Sequence, residues 1–240
     1  MNDFLTREKT ISILKELGIR NGSNVCLQMD ISKFTNVIGG IPMIIEVLKE
    51  IVGENGCIFM PSFSYSCLDP ACFDSNTYEY DFWKHIRKSI RGYDGINSDC
   101  DIYKDTSNVF LHSMGVVRSN HPVYSFALWG NFDERLLKQE INEPLSFQSP
   151  LRLLTSENAY NVLIGIEPSD ALLLQAMGHR LQIGQTIVQR AFINSKKNQT
   201  KSFLVTKTNE FLCQDLLDVC FLQQYDIEQN SIYALSLENN

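Results

Sequence analysis

Around His121-Pro122 the sequence gathers Arg118, Ser119 and Ser125, so an imidazole, a guanidinium and two hydroxyls fall within eight residues ahead of an apolar run. An imidazole at a strand edge, with a hydroxyl four residues on, titrates in the range needed to take a proton from a nucleophile near neutral pH. The same spacing describes a structural histidine hydrogen-bonded beneath a loop, and spacing alone leaves both open. Carboxylates supply a second cluster. Three loops that follow apolar strand-like runs carry polar groups: Met29-Asp30-Ile31-Ser32, Pro61-Ser62-Phe63-Ser64 and Glu167-Pro168-Ser169-Asp170. Open α/β sheets bind ligands beyond the carboxyl ends of their strands, so these loops are where a site belongs. If they converge, Asp30, Glu167 and Asp170 form an acidic rim for an ammonium group; otherwise they are solvated carboxylates on separate turns.

Other chemistries lack their patterns. Cys67, Cys72 and His85 have no second ligand pair, and Cys213 and Cys220 are wrongly spaced to supply one, so no metal is expected. No cysteine sits in a recognisable nucleophile elbow, which leaves a Cys/His acyl-enzyme without support. Neither the glycine-rich dinucleotide fingerprint nor the phosphate-loop Gly-Lys-Ser/Thr occurs.

The positioning elements read as alternating helices and strands. Thr6 opens a short amphipathic helix closed by Gly18. Val25 to Met29, a helix over Met43 to Val52 led by Pro42, and Cys57 to Met60 predict a parallel strand, helix, strand crossover. Residues 64–108 read as an irregular excursion bordering the site, with a helical stretch near Tyr80 to Ile90. Val116-Val117, Tyr124 to Trp129 and Tyr160 to Ile166 supply further strands, separated by helical signals at Asp133 to Glu140 and Pro150 to Leu154. The tail predicts a strand at Ser202 to Val205, a helix at Gln214 to Gln223 and a last strand at Ser231 to Leu235. This alternation predicts an α/β fold: three-layer α/β/α around a largely parallel or mixed central sheet. The 240 residues are expected to form a single domain, with residues 181–240 as its variable C-terminal part.

Composition narrows the class. With 44% hydrophobic and 20% charged residues the chain is that of a folded protein. A formal net charge of −7 opposes nucleic-acid or anionic-membrane binding and suits a small cationic ligand. No apolar run approaches the roughly 20 residues of a membrane helix. No secretory signal is visible and the seven cysteines are an odd number, so a cytoplasmic protein with reduced thiols is expected, as a monomer or homodimer. The sequon Asn198-Gln-Thr200 is then accidental.

Four ordered blocks between residues 6 and 180 resemble the aminoglycoside 3-N-acetyltransferase family, whose fold differs from that of the GCN5-type acetyltransferases. They are Leu17-Gly-Ile-Arg-Asn-Gly-Ser; Val37-Ile-Gly-Gly40 with Val52-Gly-Glu-Asn-Gly56 and Met60-Pro-Ser-Phe63; Arg118-Ser-Asn-His-Pro-Val-Tyr-Ser125 through Gly130; and Ser149-Pro-Leu-Arg-Leu-Leu154 with Asn161-Val-Leu-Ile-Gly165. The resemblance implies direct transfer of an acetyl group from acetyl-CoA, as co-substrate, to a primary amine of an amino sugar. It implies that Met29, Asp30, Ile31, Ser32, Arg118 and Ser119 hold the pantetheine arm. His121 is the expected base, assisted by Ser125, with His179 second; Asp30, Glu167, Asp170 and Gln175 would contact the amine. The chain departs from the family pattern in two places. Gln28-Met29-Asp30 replaces a histidine and two serines after the first strand, and Gln175 and Gly178 replace the histidine and glutamate of the family's TxxHxxE pattern. The chain also ends early and lacks a strongly acidic pocket for polycations, so a smaller amino sugar, such as a nucleotide-linked 4-amino-deoxy sugar, is expected ahead of an aminoglycoside. The alternative is a relative that kept the fold and CoA binding but lost catalysis.

Overall fold

The computed structural model describes residues 4–34, 36–73, 77–194, 199–227 and 230–237. Its elements in chain order are α1 (Arg7–Glu16), β1 (Asn24–Met29), α2 (Gly40–Val52), β2 (Cys57–Pro61), α3 (Trp83–Ser89), α4 (Lys104–Leu111), β3 (Val117–Arg118), β4 (Phe126–Gly130), β5 (Ala159–Ile164), α5 (Leu172–Arg180), β6 (Gln185–Asn194), β7 (Gln199–Lys207), α6 (Glu210–Leu217), β8 (Phe221–Ile227) and β9 (Asn230–Ser236). Seven strands form one sheet in the order β3-β4-β2-β1-β5-β9-β8. β1 runs parallel to β2 and β5, whereas β4 and β9 join antiparallel on either side. The sheet is therefore mixed, with a parallel centre, and the predicted crossover over residues 24–60 is present.

Strand periodicity divides the core into two faces. Val25, Leu27, Met29, Ile58, Met60, Val162 and Ile164 meet α1, α2 and Phe110 of α4 on one face. Cys26, Cys57, Phe59 and Leu163 meet α5, α6, and Phe203 and Val205 of β7 on the other. β1, β2 and β5 are buried along nearly their whole length, as strands covered on both faces must be. The three layers are thus α/β/α, although the second outer layer is part helix and part β6–β7 hairpin.

Several local expectations are corrected. Asp133 to Glu140 and Pro150 to Leu154 each form a short 3-10 turn in place of an α-helix, over Glu134–Leu137 and Pro150–Thr155. The last helix ends at Leu217, because Phe221 to Gln223 belong to β8, which pairs with β9. β6 and α4 had no counterpart in the sequence reading. Asn198 of the sequon lies outside the described residues. No described helix is long and apolar enough to cross a membrane.

Candidate functional site

The Arg118 to Ser125 block forms a buried polar knot. Arg118 Nε donates to Ser125 Oγ at 2.9 Å, Nη1 to Ser98 O at 2.5 Å, and Nη2 to Ser64 Oγ at 2.8 Å and to Ser62 O. Its guanidinium also lies 5.3 Å from the Tyr93 ring centre. Ser125 Oγ donates to Ser62 O at 2.8 Å, and Ser119 Oγ accepts from Phe126 N while donating to Gln139 Oε1, both at 2.8 Å. Ser119 and Ser125 are fully buried. These groups join β3, β4 and the Ser62–Ser64 turn, so the expected pantetheine contacts of Arg118 and Ser119 and the catalytic assistance of Ser125 do not fit this geometry.

His121 does not fit the role of base either. It is 1% exposed. Nδ1 accepts from Val123 N at 3.1 Å and Tyr124 N at 2.8 Å, and Nε2 therefore carries the proton it donates to Ile141 O at 3.0 Å. Neither ring nitrogen is free for a substrate. Burial pushes the pKa of the ring from 6.5 down to about 4. Between those values the unfolded chain binds the extra proton, so this contribution to stability is complete above pH 6.5 and is lost as pH falls toward 4. The unfolding free energy is expected to fall by about 3 kcal/mol more between pH 7 and pH 4 than it does in His121→Asn. Denaturant titrations at the two pH values measure this; equal losses in both proteins would refute it.

The open chemistry lies at the carboxyl ends of β1 and β5, on the face that carries α5. A cleft of about 400 Å3 there is walled by Phe63, Tyr65, Phe73, Tyr103 and Tyr124. This volume lies within the range of about 300 to 1,000 Å3 typical of small-ligand sites. Gln28, Asp170, Gln175, Gln189 and Lys207 bring its polar groups. Burial, opposed for Tyr103 by the Gln28 bond and for Tyr124 by the Gln189 bond, pushes both phenols up to about 12, so both are neutral hydroxyls at physiological pH. Tyr124 donates to Gln189 Oε1 at 2.8 Å. Gln189 is 2% exposed and lines the cleft, and its Nε2 has no hydrogen-bond partner among the described residues.

Gln28 ties this corner together. Its Nε2 donates to Tyr103 Oη at 2.9 Å and to Asp170 O at 3.0 Å, and its Oε1 accepts from Leu172 N at 2.8 Å. Asn161 Oδ1 accepts from Leu173 N at 3.0 Å. Two amides at the start of α5, orphaned in any helix, are thus satisfied by side chains of β1 and β5.

The three expected acids do not converge. Asp30 Oδ1 accepts from Ser32 N at 2.9 Å and caps the 3-10 turn Ile31–Lys33. Glu167 lies 3.8 Å from Lys33 Nζ on the surface. Only Asp170 lines the cleft, and its carboxylate has no partner among the described residues. Met29 is fully buried in the opposite core, away from any ligand, and Ile31 and Ser32 sit on the turn that Asp30 caps. That turn lies against Gly165, where a Cβ would come within 2.1 Å of Asp30 O.

On α5, Gln175 lines the cleft but is clamped to the β7–α6 connection. Its Oε1 accepts from Thr208 N at 3.0 Å and its Nε2 donates to Thr208 O at 3.3 Å. One turn on, a Cβ at Gly178 would meet Thr208 Oγ1 at 1.9 Å. The connection therefore fills the space that a larger residue at 178 would need. His179 lies outside the cleft and pairs with Glu143, Nε2 to Oε2 at 3.7 Å. Gln28 and Gln175 were legible as departures from a family pattern. Gln189 and Lys207 had no sequence signal, because they come from a hairpin whose packing against the cleft only the fold reveals.

Residues 27–226 match the family described as aminoglycoside 3-N-acetyltransferase. The SPbeta prophage-derived aminoglycoside N(3')-acetyltransferase-like protein YokD of Bacillus subtilis (strain 168) is 30% identical over 224 residues, 88% of this chain and 79% of that protein. The aminoglycoside N(3)-acetyltransferase IX of Micromonospora chalcea is 27% identical over 179 residues, 71% of this chain; the match spans 60% of that relative. The crystal structure of YokD superposes with a TM-score of 0.84 at 25% identity, covering 98% of this chain and 89% of that one. The AAC-IIIb binary complex with CoASH superposes with a TM-score of 0.74 at 15% identity, covering 98% and 92%.

Proposed function

Because the chain belongs to the aminoglycoside 3-N-acetyltransferase family, we propose that it transfers an acetyl group from acetyl-CoA to a primary amine of an amino sugar, an aminoglycoside or a nucleotide-linked amino-deoxy sugar, in the cleft beyond β1 and β5. The observation that carries this reading is that one aromatic-walled cleft is lined both by Asp170, whose exposed carboxylate has no partner among the described residues, and by the buried Gln189, whose amide donor is likewise unpartnered. Asp170 receives the substrate as an ammonium and holds its nitrogen. Once one of its protons has left to solvent, the neutral amine attacks the thioester carbonyl with its lone pair; the forming N–C bond acidifies the remaining protons and Asp170 takes one. Gln189 Nε2 donates to the carbonyl oxygen as negative charge gathers there. Collapse breaks the C–S bond and releases the CoA thiolate, leaving the acetylated amine. The clamped Gln175 fixes the cleft wall and takes no proton.

A second reading, a CoA-binding relative without catalysis, is favoured by one observation: the positions of the family's histidine and glutamate hold Gln175 and Gly178, with Thr208 packed against them. Thiol release from acetyl-CoA with a panel of amino sugars, beside calorimetric titration with CoA, separates the two. Release with any amino sugar is the expected result. CoA binding without release across the panel would establish the second reading, and neither binding nor release would overturn both.

A further inference from the structure

The charged groups of the cleft are sparse and opposed. Among the described residues lining it, Asp170 and Lys207 alone carry charge. Asp170 stands at the start of α5, where its backbone carbonyl accepts from Gln28 Nε2 and its carboxylate is left over. Lys207 ends β7, immediately before the Thr208 peptide that Gln175 grips. Its ammonium has no ion-pair or hydrogen-bond partner among the described residues, and Asp170 has no cation. The side chain of Lys207 is exposed, but its backbone is held in place. β7 pairs with β6 at Gln185 to Lys207, and a Cβ at Gly184 would come within 2.6 Å of Lys207 O, so the backbone at this open end of the hairpin is packed tightly against the residue that leads into β6.

A polycationic substrate would meet a repulsive ammonium here and find a single carboxylate in the described lining. A substrate with one ammonium and one anionic substituent would satisfy both charges at once. We infer that Lys207 is a specificity-determining residue that reads an anionic group, a phosphate or carboxylate, on a mono-amino sugar whose ammonium is held by Asp170. This rests on the acetyl-transfer reading for the reaction and on the cleft alone for the selectivity. Like charges placed together disfavour wrong partners more than opposite charges reward right ones, so the discrimination against polyamines is the larger part of the effect.

The experiment uses the full chain with four probes: glucosamine, glucosamine 6-phosphate, 2-amino-2-deoxyglucuronic acid and the polyamine tobramycin. Affinity is read by calorimetry and turnover by thiol release from acetyl-CoA, in the native protein, Lys207→Gln and Lys207→Glu. Native protein is expected to bind at least one anionic probe about tenfold more tightly than glucosamine, with a margin that shrinks as salt rises through screening. Lys207→Gln is expected to erase that margin, and Lys207→Glu to reverse it in favour of tobramycin. The phosphate and carboxylate arms show which anion is read. Equal affinity of native protein for glucosamine and both anionic probes, or a margin that survives in Lys207→Gln, overturns the inference. Discrimination in binding without thiol release from any probe sustains the inference while refuting acetyl transfer; turnover without discrimination does the reverse.

Discussion

Asp170→Asn is expected to lower kcat/KM for an amino-sugar acceptor by about 100- to 10,000-fold, the usual cost of losing a sole proton acceptor. The substitution is nearly isosteric. Asp170 contributes its backbone carbonyl to Gln28, and that bond is untouched. The carboxylate itself bonds nothing among the described residues, so thermal stability should stay within about 1 kcal/mol of the native protein. The effect should also divide in a particular way. Loss of the ammonium contact raises KM, whereas loss of the proton acceptor lowers kcat. Steady-state kinetics across pH 6 to 9 check this. A kcat/KM within about threefold of native at every pH would remove Asp170 from the reaction and return the search for a base to groups outside the cleft.

Arg118→Met is expected to destabilise the protein by about 4 kcal/mol without direct effect on the chemistry. The guanidinium has no carboxylate partner among the described residues, and four oxygens from Ser62, Ser64, Ser98 and Ser125 share its donors. Hydrogen bonds to a charged group contribute about 1.5 to 3 kcal/mol each, less than additively when they share one donor group. Methionine refills part of the volume but leaves Ser98 O and Ser64 Oγ without this donor. For a chain of this size such a loss lowers Tm by roughly 10 °C. Arg118→Lys keeps the charge without the planar fork and should recover less than half of the loss. Calorimetric melts of the three proteins test the assignment. A methionine variant that melts within about 2 °C of native, or one that folds normally and fails only in CoA binding, would return Arg118 to the ligand role expected of it from the sequence.

These expectations show where the sequence was legible and where it was not. Periodicity located β1, α2, β2, β5 and β9 because their side chains alternate between two buried faces or fill one helical stripe. The short 3-10 turns at Glu134–Leu137 and Pro150–Thr155 carry helix-like signals with too few residues to propagate a helix. β6, β7 and β8 eluded a full reading because their stability comes from pairing with a neighbour, as at Ile187 with Val205 and Tyr225 with Ile232, and not from any local pattern. In the sequence Arg118, Ser119, His121 and Ser125 stand out together, and in the structure their polar groups bond to neighbouring loops and strands. A motif of polar residues looks the same in sequence whether its donors face a ligand or one another. Asp170 was legible because it follows a strand. Lys207 was not, since nothing local indicates that the end of a hairpin leans over a cleft formed by strands far away in the chain.

The capping of α5 by Gln28 and Asn161 bears on how the chain reaches this state. Gln28 lies 144 positions from the amide it satisfies, and Asn161 lies 12 positions from its own. The Gln28 acceptor is in place only once β1 has aligned beside β5. The nine-residue helix is too short to persist alone in water. Assembly of the parallel centre must therefore precede consolidation of the helix that bounds the cleft, which places this corner among the late and slow contacts of refolding and makes it the first to open under mild denaturant.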